Sequence, residues 1–130
     1  MPLLLDTNIV VAIINGSTAS LPVSLSGRLA GDDALYVSVV SLWELAIKSR
    51  LGKIELSIDL ENIPTQLGIG GVTLLDLTAE HAIAEALPVP ETRDPFDRLL
   101  LAIAHVEHAL LLTTDRALAA HPLAWAPAAG

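Results

Sequence analysis

The chain has 130 residues, of which 52% are hydrophobic and 17% charged, and its formal net charge is -8. One domain spanning residues 1–130 suits this length, and the apolar content excludes a disordered chain. No apolar run approaches the ~18 residues that a membrane helix needs, and no basic region begins a signal peptide, so we expect a cytoplasmic protein without membrane partners. The lack of cysteine excludes disulfides and thiolate metal sites. The acidic balance argues against broad, charge-driven binding of nucleic acid.

Strands and helices are predicted to alternate along the chain, because short apolar runs are followed by segments with helical spacing. Strands are predicted over residues 3–5, 35–39, 72–75 and 110–113, with a further edge strand over 123–125. Helices are predicted over residues 7–14, 42–51, 58–67, 78–87, 96–109 and 116–120, and a polar loop over 17–26 leads into another short helix. This alternation predicts an α/β fold with a mainly parallel sheet of four to five strands and right-handed crossovers.

Four acidic residues stand where predicted strands pass into helices: Asp6, Glu44, Asp97 and Asp115. In an open parallel sheet, the carboxyl ends of the strands line the ligand crevice. Two carboxylates ~4 Å apart repel by about 4 kcal/mol at an effective dielectric constant near 20, so such a cluster calls for a cation. Oxygen ligands without cysteine favour Mg²⁺ or Mn²⁺ over zinc. An ion of this kind can bind a phosphate and activate a water molecule.

Helix capping is the structural alternative for each acid taken alone. Asp6 and Asp115 would each cap the helix that follows, and Ser41-Leu42-Trp43-Glu44 matches the S-x-x-E capping box. Asp94 before Pro95 is a good N-cap and places Asp97 at the third helical position. Any single acid is adequately explained in this way, but four acids at the same kind of junction favour a shared site.

Several other side chains have both a functional and a structural interpretation. Lys48, Arg98 and Arg116 are candidates for contacts with phosphate groups of a ligand, although a solvated surface or an ion pair with a neighbouring acid explains them equally well. Trp43 beside Glu44 could stack on a base, and its alternative is an apolar core position, which we favour.

Four segments carry a resemblance to a known family. Residues 4–8 (LLDTN), 38–48 (SVVSLWELAIK), 93–100 (RDPFDRLL) and 112–116 (LTTDR) resemble the signature segments of PIN-domain ribonucleases, in particular the VapC-type toxins of bacterial toxin–antitoxin pairs. The order, the spacing and the chain length all agree, and the RDPFDRLL segment is the most specific. The resemblance implies a PIN-like three-layer α/β/α fold. One departure is Thr92, where related sequences often carry histidine.

The resemblance also implies a function and assigns residues to it. The family's metal-binding acids fall on Asp6, Glu44, Asp97 and Asp115, and its polar helpers fall on the residues Thr7, Asn8 and Thr114. The implied activity is hydrolysis of RNA phosphodiesters by a Mg²⁺- or Mn²⁺-dependent endoribonuclease, leaving 5′-phosphate and 3′-hydroxyl ends. The implied partners are an antitoxin protein and a second copy of the chain.

Two other classes of protein remain as alternatives. A metal-dependent phosphatase of the haloacid-dehalogenase type would also place an aspartate after the first strand, but it generally requires D-x-D, whereas this chain has Asp6-Thr7-Asn8. A non-catalytic partner-binding module would tolerate the loss of all four acids.

Overall fold

The computed structural model describes residues 1–127, which contain four strands and seven α-helices. The strands are β1 (Leu3–Leu5), β2 (Leu35–Ser38), β3 (Val72–Leu75) and β4 (Leu110–Leu112). The helices are α1 (Thr7–Ile14), α2 (Val23–Leu29), α3 (Val39–Arg50), α4 (Ile63–Ile69), α5 (Ala79–Ile83), α6 (Pro95–Val106) and α7 (Arg116–Ala119). Two short 3₁₀ helices cover Thr18–Ser20 and Leu60–Asn62. No helix among residues 1–127 is long and apolar enough to cross a bilayer.

The sheet is parallel throughout and has the strand order β3-β2-β1-β4. The predicted α/β fold with a parallel sheet is therefore confirmed. Leu5 at the end of β1 is paired with Leu112 at the end of β4, so the carboxyl ends of the central strand β1 and the edge strand β4 lie side by side. The predicted edge strand over 123–125 is reduced to a single bridge between Ala124 and Leu111, which leaves four strands in the described part of the chain.

Alternate strand residues enter two apolar clusters, because successive side chains of a strand point to opposite faces of the sheet. Leu3 and Leu5 pack with residues of α1, α3 and α4 in one cluster. Leu4 and Leu111 pack with residues of α6 and α7 in the other. Helices thus cover both faces of the sheet, which is the three-layer arrangement that the resemblance implied.

The start of α3 corrects the sequence analysis. The preceding strand ends at Ser38 rather than at residue 39, and the Ser38 hydroxyl oxygen accepts a hydrogen bond from the Val40 amide at 3.1 Å. Ser38 is therefore the N-cap, and Ser41 is a buried residue inside the first turn. The predicted capping box between Ser41 and Glu44 is wrong, because Glu44 lies in the second turn, where no helix amide lacks a partner.

Two helices begin elsewhere than predicted. The polar segment over 17–26 is not all loop, since α2 begins at Val23 directly after Pro22. Proline fixes an extended backbone at the entry to this helix, and that signal outweighs the polar composition. Pro64 lies in the first turn of α4, where its missing N–H is not needed.

Helices α5 and α6 end earlier than predicted, while their N-caps, Thr78 and Asp94, are confirmed. The chain leaves α5 at Ala84, which is extended, and carries Ala86 into the apolar cluster beneath α6. At the end of α6, His108 adopts a positive φ of 52° and the Ala109 amide donates to the Ala104 carbonyl at 2.9 Å. This is a Schellman motif, and it ends the helix before residue 109.

Candidate active site

Asp6 stands at the centre of the sheet edge where the parallel strands end. It is 6% exposed and caps α1. Its Oδ1 accepts a hydrogen bond from the Thr7 amide at 2.7 Å, and its Oδ2 accepts one from the Thr113 hydroxyl at 2.6 Å. Burial raises the pKa of Asp6, and the nearby Glu44 raises it further, although both hydrogen bonds and Lys48 act in the opposite direction. The buried carboxylate is therefore held in place but is not fully compensated in charge.

Thr113 is the site residue that sequence reasoning missed. Because β1 and β4 pair Leu5 with Leu112, the next residue on each strand meets across the sheet, which places Thr113 against Asp6. Thr113 is 3% exposed, and its hydroxyl oxygen also accepts a hydrogen bond from the Asp115 amide at 3.0 Å. The predicted helper, Thr114, lines a cavity of about 320 Å³ together with Thr113 and Arg116, whereas the hydroxyl that binds Asp6 is that of Thr113. The signal for Thr113 was the strand pairing, which the sequence does not show.

Glu44 and Lys48 lie one helical turn apart on α3, with Glu44 Oε2 3.7 Å from Lys48 Nζ. The Glu44 side chain is 12% exposed and that of Lys48 is 37% exposed. Both act electrostatically on Asp6, Glu44 by raising its pKa and Lys48 by lowering it. The structure thus brings Glu44 and the predicted phosphate contact Lys48 to the sheet edge at Asp6.

Asp97 is the third residue of α6 and is half-buried. Burial raises the pKa of Asp97 to about 6, with further contributions from the charges of Asp94, Asp6 and Asp115. The Thr92 hydroxyl opposes this rise by donating a hydrogen bond to Asp97 Oδ2 at 3.3 Å. Threonine at the position of the family's histidine is therefore a direct partner of this acid. Through these couplings Asp97 joins Asp6 and Asp115 in one electrostatic unit.

Asp115 is exposed and is confirmed as a helix cap. Its Oδ1 accepts hydrogen bonds from the Ala117 amide at 2.8 Å and the Leu118 amide at 3.4 Å. Capping does not exclude a second role, since a carboxylate has two oxygens and about four acceptor positions. The neighbouring Arg116 is exposed at the start of α7.

Of the remaining predicted site residues, Arg98 forms hydrogen bonds within the protein. Its guanidinium donates to the Thr92 carbonyl at 2.6 Å and to the Pro90 carbonyl at 3.3 Å. It therefore holds the segment before α6 rather than forming an ion pair with an acid. Asn8 is exposed on α1, next to Thr7, which is buried.

The donor chemistry of the four acids fits a hard divalent cation, since every candidate ligand is an oxygen. Burial raises the pKa of both Asp6 and Asp97, with smaller contributions from neighbouring acids, and a bound cation would favour the charged form of both. Within residues 1–127, the Thr7 and Ser41 hydroxyl oxygens are buried without a hydrogen-bond partner. In the same range, no three acidic, histidine or cysteine side chains come close enough together to hold an ion. Binding would thus require the more exposed acids to turn inward.

Comparison with known proteins extends this description. The family model for the PIN domain matches residues 3–122. In fold, the chain is similar to a chain of VapBC2 from Rickettsia felis bound to a DNA fragment from its promoter, with a TM-score of 0.63 and 23% identity over 95% of this chain and 96% of that one. It is also similar to a chain of a toxin–antitoxin complex from Klebsiella pneumoniae, with a TM-score of 0.60 and 16% identity over 95% and 96%. No curated protein matches the chain.

Proposed function

The chain belongs to the PIN-domain family, and we propose that it is a metal-dependent endoribonuclease and the toxin of a toxin–antitoxin pair. The observation that carries the proposal is the convergence of acids from four separate segments on one sheet edge, where charge couples Asp6 to Glu44 and Asp97, and Asp97 to Asp115. Helix capping does not account for the set, because Ser38 and Asp94, and not Glu44 and Asp97, are the N-caps of α3 and α6. The family match also removes the haloacid-dehalogenase alternative, because it assigns residues 3–122 to a different domain.

In this proposal each acid has a distinct part. Asp6, Glu44 and Asp97 would hold Mg²⁺ or Mn²⁺, and Asp115 would complete that site or bind a second ion. When bound, the cation would neutralise an RNA phosphate and activate a water molecule to attack phosphorus. Thr113 and the Thr7 amide fix the orientation of Asp6, and Thr92 does the same for Asp97.

The basic residues of the chain limit how RNA can be bound. Only 7 lysines and arginines face 15 acidic residues, and two of the arginines are engaged within the protein. Arg28 pairs with Asp33 at 2.8 Å, and Arg98 binds backbone carbonyls. Lys48 and Arg116 are left as candidates near the acids. We therefore expect RNA affinity to have a shallow salt dependence and to depend strongly on the metal.

The proposed partners are an antitoxin and a second copy of the chain. Support for the antitoxin comes from the two similar structures, a VapBC2 assembly and a toxin–antitoxin complex, and the second copy rests on the family resemblance. An antitoxin that directs an arginine or lysine at the acid cluster would replace the cation and block the phosphate. Light scattering at micromolar concentration without antitoxin tests the homodimer, and a monomeric mass would contradict it.

The activity is tested by incubating the protein with a labelled structured RNA in Mg²⁺, in Mn²⁺ and in EDTA. We expect cleavage with either ion, none in EDTA, and 5′-phosphate ends on the products. Binding of a cleavage-resistant RNA, measured in parallel over a salt series, should weaken strongly in EDTA. No cleavage under any condition, together with no metal binding, would favour the non-catalytic partner-binding module.

A further inference from the structure

Trp43 is exposed, contrary to the core position that the sequence analysis favoured. Its exposed fraction is 62%, while the other three aromatic residues of the chain, which all lie within residues 1–127, are partly buried. The buried residues of α3 are Val40, Ser41 and Leu45, so Trp43 is outside the face that packs on the sheet. Single exposed apolar residues are common, so exposure alone assigns no role to this indole.

Trp43 lies at a contact between the two helices that carry Glu44 and Asp97. Its ring lies against that of Phe96, with centroids 5.4 Å apart and planes inclined by 58°. Trp43 directly precedes Glu44 on α3, and Phe96 directly precedes Asp97 on α6. The aromatic contact therefore joins the same two helices that deliver two of the four acids, and each aromatic residue is the one before the acid in sequence.

The Phe96 contact also restricts the indole before any ligand arrives. A tilted aromatic pair at this centroid separation is a favourable geometry, and a side chain that is already ordered loses less entropy on binding. Phe96 itself packs on the apolar cluster under α6, so it is a fixed support. The result is a partly exposed, pre-positioned aromatic surface at the edge of the acid cluster.

An aromatic surface of this kind can bind RNA where an acidic protein offers few cationic contacts to the phosphates. With a net charge of -8, the chain cannot depend on many phosphate contacts to hold a strand. Base–aromatic stacking is independent of the sign of protein charge and tolerates any base sequence. It is therefore a means of binding RNA that this composition leaves open.

Resting on the proposed function, we propose that Trp43 is a stacking platform for a nucleobase next to the scissile phosphate, with Phe96 as its support. Trp43 is a substrate-positioning residue in this scheme and takes no part in proton transfer. Its loss should therefore raise KM more than it lowers kcat, because stacking is equally present in the bound substrate and the transition state.

The test is a double-mutant cycle between protein and substrate. Trp43→Ala should lower kcat/KM by about 5- to 100-fold, in line with the loss of one stacked base, and Trp43→Tyr should restore most of it. An abasic nucleotide placed in turn on each side of the cleavage site should, at one position, lower wild-type kcat/KM similarly. With the abasic nucleotide at that position, kcat/KM of Trp43→Ala should be no lower than it is on the intact RNA. Ile83→Ala, which removes another large exposed side chain, of 84% exposure, is the matched control and should cleave as wild type does.

A second readout does not depend on cleavage. In a Trp125→Phe background, Trp43 is the sole tryptophan, and its fluorescence should be quenched by a cleavage-resistant RNA but not by the same RNA with the abasic nucleotide. Thermal unfolding of Trp43→Ala checks that the fold is intact, and Trp43→Leu separates the loss of an aromatic face from the loss of apolar area.

The outcomes distinguish this inference from the proposed function. Normal cleavage by wild type with unchanged kinetics for Trp43→Ala, or additive losses in the cycle, would overturn the stacking role alone. Unchanged RNA kinetics combined with lost binding of a co-expressed antitoxin would assign Trp43 to the antitoxin interface and overturn it as well. Failure of wild type to cleave any RNA would overturn both.

Discussion

Asp6 and Asp115 begin helices in the same local way and yet occupy opposite environments. Each follows a strand and accepts hydrogen bonding from the first turn of the next helix, Asp6 from the Thr7 amide and Asp115 from the amides of Ala117 and Leu118. Asp115 does so at the surface, where a cap stabilises its helix and the carboxylate stays in contact with water. Asp6 does so at 6% exposure, beside another acid, with its pKa raised despite two hydrogen bonds.

The difference shows which feature marks a functional acid. A cap needs only an oxygen near free amides, and burying its charge among like charges adds cost without improving the cap. Asp115 is explained by capping, whereas Asp6 is not. The same criterion applies to the two acids on helices, since Glu44 caps nothing and Asp97 has a raised pKa of about 6.

The largest expected effect compares the two caps directly. Asparagine caps as well as aspartate, so Asp6→Asn and Asp115→Asn should both keep their helix starts. We expect Asp6→Asn to lower RNA cleavage at least about 100-fold, and Asp115→Asn about 10-fold, since loss of a supporting group typically costs 10- to 100-fold. Initial cleavage rates at fixed Mg²⁺ measure both. Equal small losses would mean that burial does not distinguish the two acids.

Glu44→Gln extends the comparison to an acid without any capping role. Glutamine preserves the shape and helix propensity of glutamate, so the free energy of unfolding should change by less than about 1 kcal/mol. Cleavage should fall at least about 100-fold if the carboxylate is a metal ligand. Glu85→Gln, on the irregular segment after α5, serves as the control that should remain active. Normal cleavage by Glu44→Gln would remove Glu44 from the site.

Thr113→Val and Thr114→Val compare the neighbouring threonines. Valine matches threonine in shape but cannot donate to Asp6 or accept from the Asp115 amide. We expect Thr113→Val to cost about 1–3 kcal/mol in urea-induced unfolding, because buried partners are left unpaired. Thr114 is half-buried, so Thr114→Val should lower the free energy of unfolding by less than about 1 kcal/mol. A larger loss in the free energy of unfolding for Thr114→Val than for Thr113→Val would contradict this comparison and favour Thr114, the supporting residue that the resemblance implied.

The smallest effect concerns pH. The pKa of Asp97 is raised from 3.8 to about 6, so the metal-free fold loses stability as the pH rises through that window, because the unfolded chain ionises first. Well below pH 3.8 the carboxyl is protonated in both states and costs nothing. Asp97→Asn should therefore stabilise the fold by about 1 kcal/mol at pH 7, a figure reduced for solvent screening of this half-exposed group, and by nothing near about pH 3.

Urea midpoints of wild type and Asp97→Asn over that pH range measure the difference in stability between them, in which titrating groups that are not coupled to Asp97 cancel. Asp32→Asn, an exposed acid in the turn before β2, is the matched control and should show no such pH dependence. A stability difference that is constant from pH 4 to pH 7 would contradict the raised pKa.

The sequence was sufficient for features that depend on local chemistry. Asp94 with Pro95, and Asp115 before a helix, are caps because their side chains reach amides two or three residues away. Apolar runs located all four strands within one residue at each end. The positions of Asp6, Glu44 and Asp115 followed from junctions between strands and helices. Asp97 does not lie at such a junction, because the irregular segment after α5 and not a strand precedes α6, so its position followed from the resemblance to the family alone.

Features that depend on strand pairing or on helix phase were not accessible. Ser38 and Ser41 both precede helical spacing, and only the packing of Val40 and Ser41 inside the first turn decides which of the serines is the cap. Thr113 meets Asp6 because of the β1–β4 register, and Thr114 does not. Trp43 was assigned to the core, but α3 turns it away from the sheet.

The central claim, that these acids form one divalent-cation site, is tested most directly by calorimetric titration of Mn²⁺ into the metal-free protein. Wild type and Asp32→Asn should bind with equal affinity. Asp6→Asn, once thermal unfolding has shown that its fold is intact, should bind at least about 10-fold more weakly. Binding that is identical in all three proteins would place the ion elsewhere, and no binding by wild type at millimolar Mn²⁺ would contradict the account.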